Sequence, residues 1–143
     1  MKYRQLGKSG VKLSVIGIGS WLTYGMGIDD KTALKCISTA IEHGIIFVDT
    51  ADIYNKGGAE TSLGKILFDE MKVKREDIVL ASKCFWPMSP NPNNQGLSRK
   101  HILDSIDKSL KRLQMDYVDL YQIHRWDYNV PIEETMEALN DVV

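Results

Sequence analysis

Four polar residues stand where chemistry could gather: Asp49, Tyr54, Lys83 and His124. Asp49 ends the apolar run Ile45-Ile46-Phe47-Val48, and Tyr54 follows it across Thr50-Ala51-Asp52-Ile53. Lys83 ends a second run, Ile78-Val79-Leu80-Ala81-Ser82, and His124 ends a third, Tyr117–Ile123. A phenol beside an ammonium ion has its ionised form favoured, so its pKa falls from ~10. Asp49 would hold the lysine charged and in place, since opposite charges ~4 Å apart attract by roughly 4 kcal/mol at an effective dielectric of 20. One pKa unit corresponds to about 1.4 kcal/mol, so a single close lysine suffices for a useful shift. The set describes a tyrosine fit to donate a proton near neutral pH. His124 would hydrogen-bond a substrate oxygen and order it beside the acid.

These residues meet only if the runs that carry them are adjacent parallel strands. Short apolar runs ended by polar residues read as strands, and 45–49 reads as one buried on both faces. Residues 3–13, with Gly7 and Gly10 bracketing a turn, suggest a hairpin. Strand ends then fall near residues 19, 49, 83 and 124, and a helical pattern follows each. The first helix has Asp29 or Asp30 as cap, Ala33, Leu34, Ile37, Ala40 and Ile41 on one face, and Gly44 as its stop. The second runs from about Ala59 to Met71. The third, capped by Ser98, has Ile102, Ile106, Leu110 and Leu113 on its inner stripe. The fourth begins at Pro131, where a first-turn proline is tolerated.

Strand and helix alternating four times describe βα units with a parallel sheet. Such units build either an open doubly wound sheet or half of an eight-unit barrel, which takes ~250 residues. Gly17-Ile18-Gly19-Ser20-Trp21-Leu22 begins the dinucleotide turn of a doubly wound sheet but lacks its third glycine. The sequence runs to Val143 inside a helical pattern, which favours the half-barrel: an N-terminal hairpin plus about four units of a (β/α)8 barrel, filling 1–143 as one domain segment.

Composition excludes several classes. With 18 Lys and Arg against 19 Asp and Glu, the formal net charge is -1, which gives no reason to expect nucleic acid or an anionic membrane as partner. No apolar run reaches the ~20 residues of a membrane span, so no insertion is expected. Cys36 and Cys84 lack metal-type spacing and read as free thiols of a reducing, cytoplasmic compartment.

The sequence resembles the aldo-keto reductase superfamily. The residues that carry the likeness are Asp49-Thr50-Ala51-Asp52-Ile53-Tyr54, Lys83 and His124. A closer likeness, to bacterial reductases and potassium-channel β subunits, rests on Gly17-Ile18-Gly19-Ser20-Trp21, Phe85-Trp86, the 96–102 stretch and Pro131-Ile132-Glu133-Glu134-Thr135. The resemblance implies a (β/α)8 barrel, NADPH as cofactor, and reduction of a small aldehyde or ketone by hydride transfer. Tyr54 would be the acid–base, Lys83 and Asp49 would tune it, and His124 would orient the carbonyl. Ser20 and Trp21 would lie against the nicotinamide, with Asp49 near the ribose. Channel β subunits carry Asn where this chain has His124, so the histidine favours the enzyme. A regulatory, NADPH-binding β-subunit-like protein and a non-catalytic fragment are the alternatives, and a homo-oligomer is allowed.

Other residues have plainer readings beside the functional one. Trp86, Trp126 and Tyr24 fall near the same rim and are candidates for an apolar substrate pocket, although packing also explains Trp126. His43 and His101 are expected on the surface. Cys84 should point away from Lys83, into the core. Arg99 and Lys100 read as a solvated face, and Arg125 as either solvated or functional.

Overall fold

The computed structural model describes residues 1–143. A short antiparallel hairpin, β1 (Tyr3–Gln5) and β2 (Lys12–Ser14), precedes a four-stranded sheet. The sheet comprises β3 (Gly17–Gly19), β4 (Phe47–Asp49), β5 (Val79–Cys84) and β6 (Leu120–Ile123). All neighbours are parallel and consecutive, in the order β3-β4-β5-β6. A doubly wound sheet reverses its strand order and carries helices on both faces. Here the order never reverses, so the sheet is four staves of a barrel.

The helices are α1 (Asp30–Glu42), α2 (Gly58–Gly64, continuing as a π-helical turn Lys65–Glu70), α3 (Arg99–Leu113) and α4 (Ile132–Val142). Ile18, Val48 and Leu80 share one face of the sheet. They form a buried cluster with Ala33 and Ile37 of α1, Leu63, Ile66 and Leu67 of α2, and Leu113 of α3. A second cluster joins Cys84 to Leu97, Ile102 and Ala138. The helix starts follow their caps: Asp29 accepts the Thr32 N–H at 2.7 Å, and Ser98 accepts the His101 N–H at 3.2 Å.

Three expectations need correction. The 45–49 strand is not buried on both faces. Val48 is fully buried against the helices, whereas Phe47 and Asp49 point to the inner face and are half-buried. Alternation along a strand sends neighbours to opposite sides, and only one side of this sheet is covered by helices. His101 is not on the surface but 0% exposed. Helix α3 packs against α2 on one flank and α4 on the other. Its buried arc therefore extends past the apolar stripe to His101, Ser105 and Ser109. Pro131 occupies the cap of α4 itself, one position before the first turn.

The hairpin seals the end of the sheet opposite the candidate site. Ser14 Oγ accepts the Ile46 and Phe47 N–H groups at 3.1 and 3.2 Å, and the Tyr3 hydroxyl donates to the Gly44 carbonyl at 3.0 Å. The register is thereby pinned where β4 begins, and its far tip is left to carry Asp49.

Candidate active site

The parallel register sets Gly19, Asp49 and Ala81 side by side, and Lys83 opposite Gln122. Asp49 and Lys83 therefore project from the same face, Lys83 one pleat further along β5. The Lys83 ammonium donates to both carboxylate oxygens of Asp49, at 2.8 and 2.7 Å, and to the Thr50 carbonyl at 2.9 Å. Its three N–H donors are thus all taken within the protein. The ammonium lies 5.3 Å from the centre of the Tyr54 ring. Lys83 thus donates no hydrogen bond to Tyr54; its ammonium only lies close to the ring.

The loop after β4 is held against β5, because the Thr50 N–H donates to the Ala81 carbonyl at 2.9 Å and the Asp52 N–H to the Lys83 carbonyl at 3.1 Å. The chain then reverses through a 3-10 turn, Tyr54–Gly57. Asn55, Lys56 and Gly57 all have positive φ, at 49°, 47° and 92°. Asn55 is tied down by its side-chain amide, which donates to the Gly25 carbonyl at 2.6 Å. Gly57 is required twice over. Its φ is left-handed, and a Cβ there would meet the Arg112 side chain at 2.6 Å. Arg112 in turn donates through Nε to Glu60 Oε2 at 2.7 Å, and Ser82 Oγ donates to Glu60 Oε1 at 2.6 Å. Glu60 is fully buried, and these two partners tie α2 to α3 and β5 directly behind the Tyr54 turn.

His124 extends the β5–β6 ladder, its N–H donating to the Cys84 carbonyl at 3.0 Å. Its ring meets Tyr54 edge-on, with centres 5.7 Å apart and planes at 80°. Burial holds the imidazole pKa below its ordinary value, and the nearby charges of Lys83 and Arg125 push the same way. The ring is thus neutral at pH 7, with one nitrogen a donor and the other an acceptor. Its Nδ1 is buried without a partner.

These residues open onto a cleft of about 480 Å³ lined by Trp21, Leu22, Met26, Ile53, Tyr54, Asn55, Trp86, His124 and Arg125. Trp86 stands edge-on to His124, with ring centres 6.2 Å apart, and Trp21 is 6.4 Å from Tyr54. Asp49, Tyr54, Lys83 and His124 are therefore brought together as their spacing suggested, with Trp21 and Trp86 beside them. Tyr24 is placed elsewhere: its ring belongs to the buried cluster under α1 and its hydroxyl pKa is raised, chiefly by burial. Trp126 is exposed and does not line the cleft. Ser20 is buried, and its hydroxyl donates to Thr50 Oγ1 at 2.8 Å, so it braces the loop rather than facing the cleft. The sequence reading missed Leu22, Met26, Ile53 and Asn55. Leu22 and Ile53 lay within stretches singled out for other reasons, and nothing pointed to Met26 or Asn55.

A ligand bearing a flat ring finds a fitting surface here. Trp21 is 66% exposed, and a Cβ at Gly19, next to Asp49 in the register, would meet nothing within 4 Å. The inner face is thus open immediately before the Asp49–Lys83 pair.

The model of the aldo/keto reductase family matches residues 15–143. The chain belongs to the aldo/keto reductase family. A protein of Arabidopsis thaliana named as a probable voltage-gated potassium channel subunit beta is 46% identical over the whole chain, which covers 43% of that relative. A rice protein (Oryza sativa subsp. japonica) of the same name is 41% identical, again with 43% of its length covered. Among solved structures, an aldo-keto reductase from Bacillus halodurans in its holo form superposes with a TM-score of 0.85 at 38% identity, covering 99% of this chain and 46% of that one. The chain thus spans less than half the length of these relatives. Its four-stranded sheet is a partial (β/α)8 barrel. No helix is long and apolar enough to cross a membrane.

Proposed function

We propose that this chain carries the acid–base machinery of an NADPH-dependent reductase of small aldehydes and ketones, acting in the cytoplasm. The observation that supports the reading best is the convergence of Tyr54 and His124 on one cleft, with the Asp49–Lys83 pair directly beneath. When bound, the nicotinamide cofactor supplies the hydride. The Tyr54 hydroxyl donates its proton to the carbonyl oxygen, and the Lys83 charge stabilises the negative charge that the phenol then acquires. Asp49 keeps the ammonium close to the ring. His124, neutral, donates a hydrogen bond to the same oxygen and fixes its approach to Tyr54. Trp21 and Trp86 line the cleft beside this point. Trp21, with Asp49 below, is the surface against which the nicotinamide would rest.

The test is NADPH oxidation, followed by absorbance over a panel of aldehydes, for the wild type and Tyr54→Phe. Removing a positioned general acid typically costs a factor of about 10² to 10⁴, and a loss of that size is expected. Equal, negligible rates for the two proteins would sink the reading. A second reading is favoured by the names of the two plant relatives: an NADPH-binding subunit that regulates a potassium channel. It predicts cofactor binding, seen as quenching of tryptophan fluorescence, that survives Tyr54→Phe without measurable turnover in either protein.

A further inference from the structure

Charge is unevenly distributed around the cleft. The Lys83 ammonium is neutralised by Asp49, and the imidazole of His124 is uncharged at pH 7. Tyr54, Asn55, Trp21, Leu22, Met26, Ile53 and Trp86 bring no charge. Arg125 alone among the lining residues carries one, and no carboxylate lies within ion-pair distance of it. Its guanidinium sits 5.9 Å from the centre of the Trp86 ring, on the same indole whose edge meets His124. Trp86 therefore links the point where a carbonyl would be held to a free planar cation at the rim. A guanidinium presents paired donors that match the two oxygens of a carboxylate, and stacking near an aromatic ring restricts its orientation in advance. An unpaired arginine on a surface needs no explanation; one that is the sole charge of an otherwise apolar and aromatic cleft gives that cleft a preference.

We propose that Arg125 selects the substrate: the cleft takes aromatic carbonyl compounds that bear a carboxylate across the ring from the reacting group, with the ring on Trp86 and the carboxylate on Arg125. The inference rests on the reductase reading for the word substrate, but the binding preference stands independently of turnover. The ring places the carbonyl toward Tyr54 and His124, while the carboxylate fixes which way round the molecule enters. Neutral aldehydes of the same shape enter without that orientation.

The experiment compares the carboxylate and its neutral isostere. Equilibrium binding of 4-(hydroxymethyl)benzoate and 4-(hydroxymethyl)benzamide is read by tryptophan fluorescence, without cofactor. Turnover is read with 4-carboxybenzaldehyde and 4-formylbenzamide in the presence of NADPH. The wild type should favour the carboxylate by about tenfold in both measurements, the size expected of one charge-assisted pair at an exposed site. Arg125→Met should bring the ratio to about one, Arg125→Lys should keep part of it, and added salt should shrink it in the wild type. Far-UV circular dichroism of each variant checks that the fold is intact, as an exposed side chain implies. A wild-type ratio near one, or a ratio kept in Arg125→Met, overturns the proposal. So does an effect of Arg125→Met confined to the KM for NADPH, which would assign the guanidinium to cofactor phosphates instead. A binding preference without turnover in any protein keeps the proposal and removes the reductase reading. Turnover without preference does the reverse.

Discussion

Replacing Asp52 by Asn should stabilise the protein, and by an amount that depends on pH. Asp52 lies on the loop between Asp49 and Tyr54, fully buried, and neither of its oxygens has a hydrogen-bond partner. Burial and the nearby Glu60 carboxylate raise its pKa to about 7, while the Ile53 N–H and the Arg112 charge pull weakly the other way. Cys84 and Tyr121 face the same pocket, and both have pKa values raised chiefly by burial, so both stay neutral throughout the relevant range. A raised carboxyl pKa means that the folded protein holds a proton which the unfolded chain has already released. Between the ordinary 3.8 and about 7, stability therefore falls as pH rises. At about 1.4 kcal/mol per pH unit, the fall reaches at most about 4 kcal/mol at neutral pH. Asparagine has nearly the same shape and no charge, so Asp52→Asn should match the wild type near pH 4.5 and exceed it above pH 7 by roughly 2–4 kcal/mol. Urea unfolding, followed by tryptophan fluorescence, reads this directly. With a slope of about 1–3 kcal/mol per molar urea, the midpoint should rise by roughly 1 M or more at pH 7.5 and stay put at pH 4.5. Other groups also shape the wild-type profile. His101, whose pKa is lowered first by burial and then by Lys108, removes stability as pH drops below its ordinary 6.5. The difference between variant and wild type cancels such contributions. A difference that is the same at both pH values would refute the assignment of a buried, proton-binding Asp52.

Further outcomes follow from the same network. Arg112→Met leaves the buried Glu60 carboxylate with only Ser82 as partner, and should destabilise the fold by about 3–5 kcal/mol in the same urea assay; an unchanged midpoint would contradict a buried, functional ion pair. His101→Leu should flatten the loss of stability between pH 6.5 and pH 5; an unaltered slope would contradict a buried, neutral imidazole. Strands β3 and β6 each have a neighbour on one side only, and the inner face around Phe47 and Gln122 is part-exposed. Expressed by itself, the 143-residue chain should therefore self-associate, and light scattering showing a stable compact monomer would count against this.

Much of the frame was legible because each element announces itself locally. Strand ends at or next to Asp49, Lys83 and His124, the caps Asp29 and Ser98, and the stop at Gly44 all follow from residues close by in sequence. The pairing of Asp49 with Lys83 was readable because two parallel neighbours with polar tips leave few other arrangements. What was not legible depends on neighbours. The α3 stripe tells which face is apolar, not that a second helix covers the flank bearing His101. Tyr24 and Trp21 are both aromatics on one glycine-spaced loop, and nothing in their spacing says which turns inward; the structure buries the first and exposes the second. Glu60 and Asp52 look like surface carboxylates by residue type, yet both are walled in, one with partners and one without. Arg125 gains meaning only from the company of uncharged residues around it.

The consecutive strand order bears on how such a site comes into being on the ribosome. Each new strand docks beside the one made just before it, and the Lys83–Asp49 contact bridges a sequence separation of 34. Chains emerge N-terminus first at about 5–20 residues per second, so β4 and β5 are available to pair within a few seconds of each other. The aspartate is synthesised first and its lysine next. The histidine comes last, with the strand that lies alongside the lysine's own. The residues of this cluster are thus made in the same order in which their strands stand side by side in the sheet.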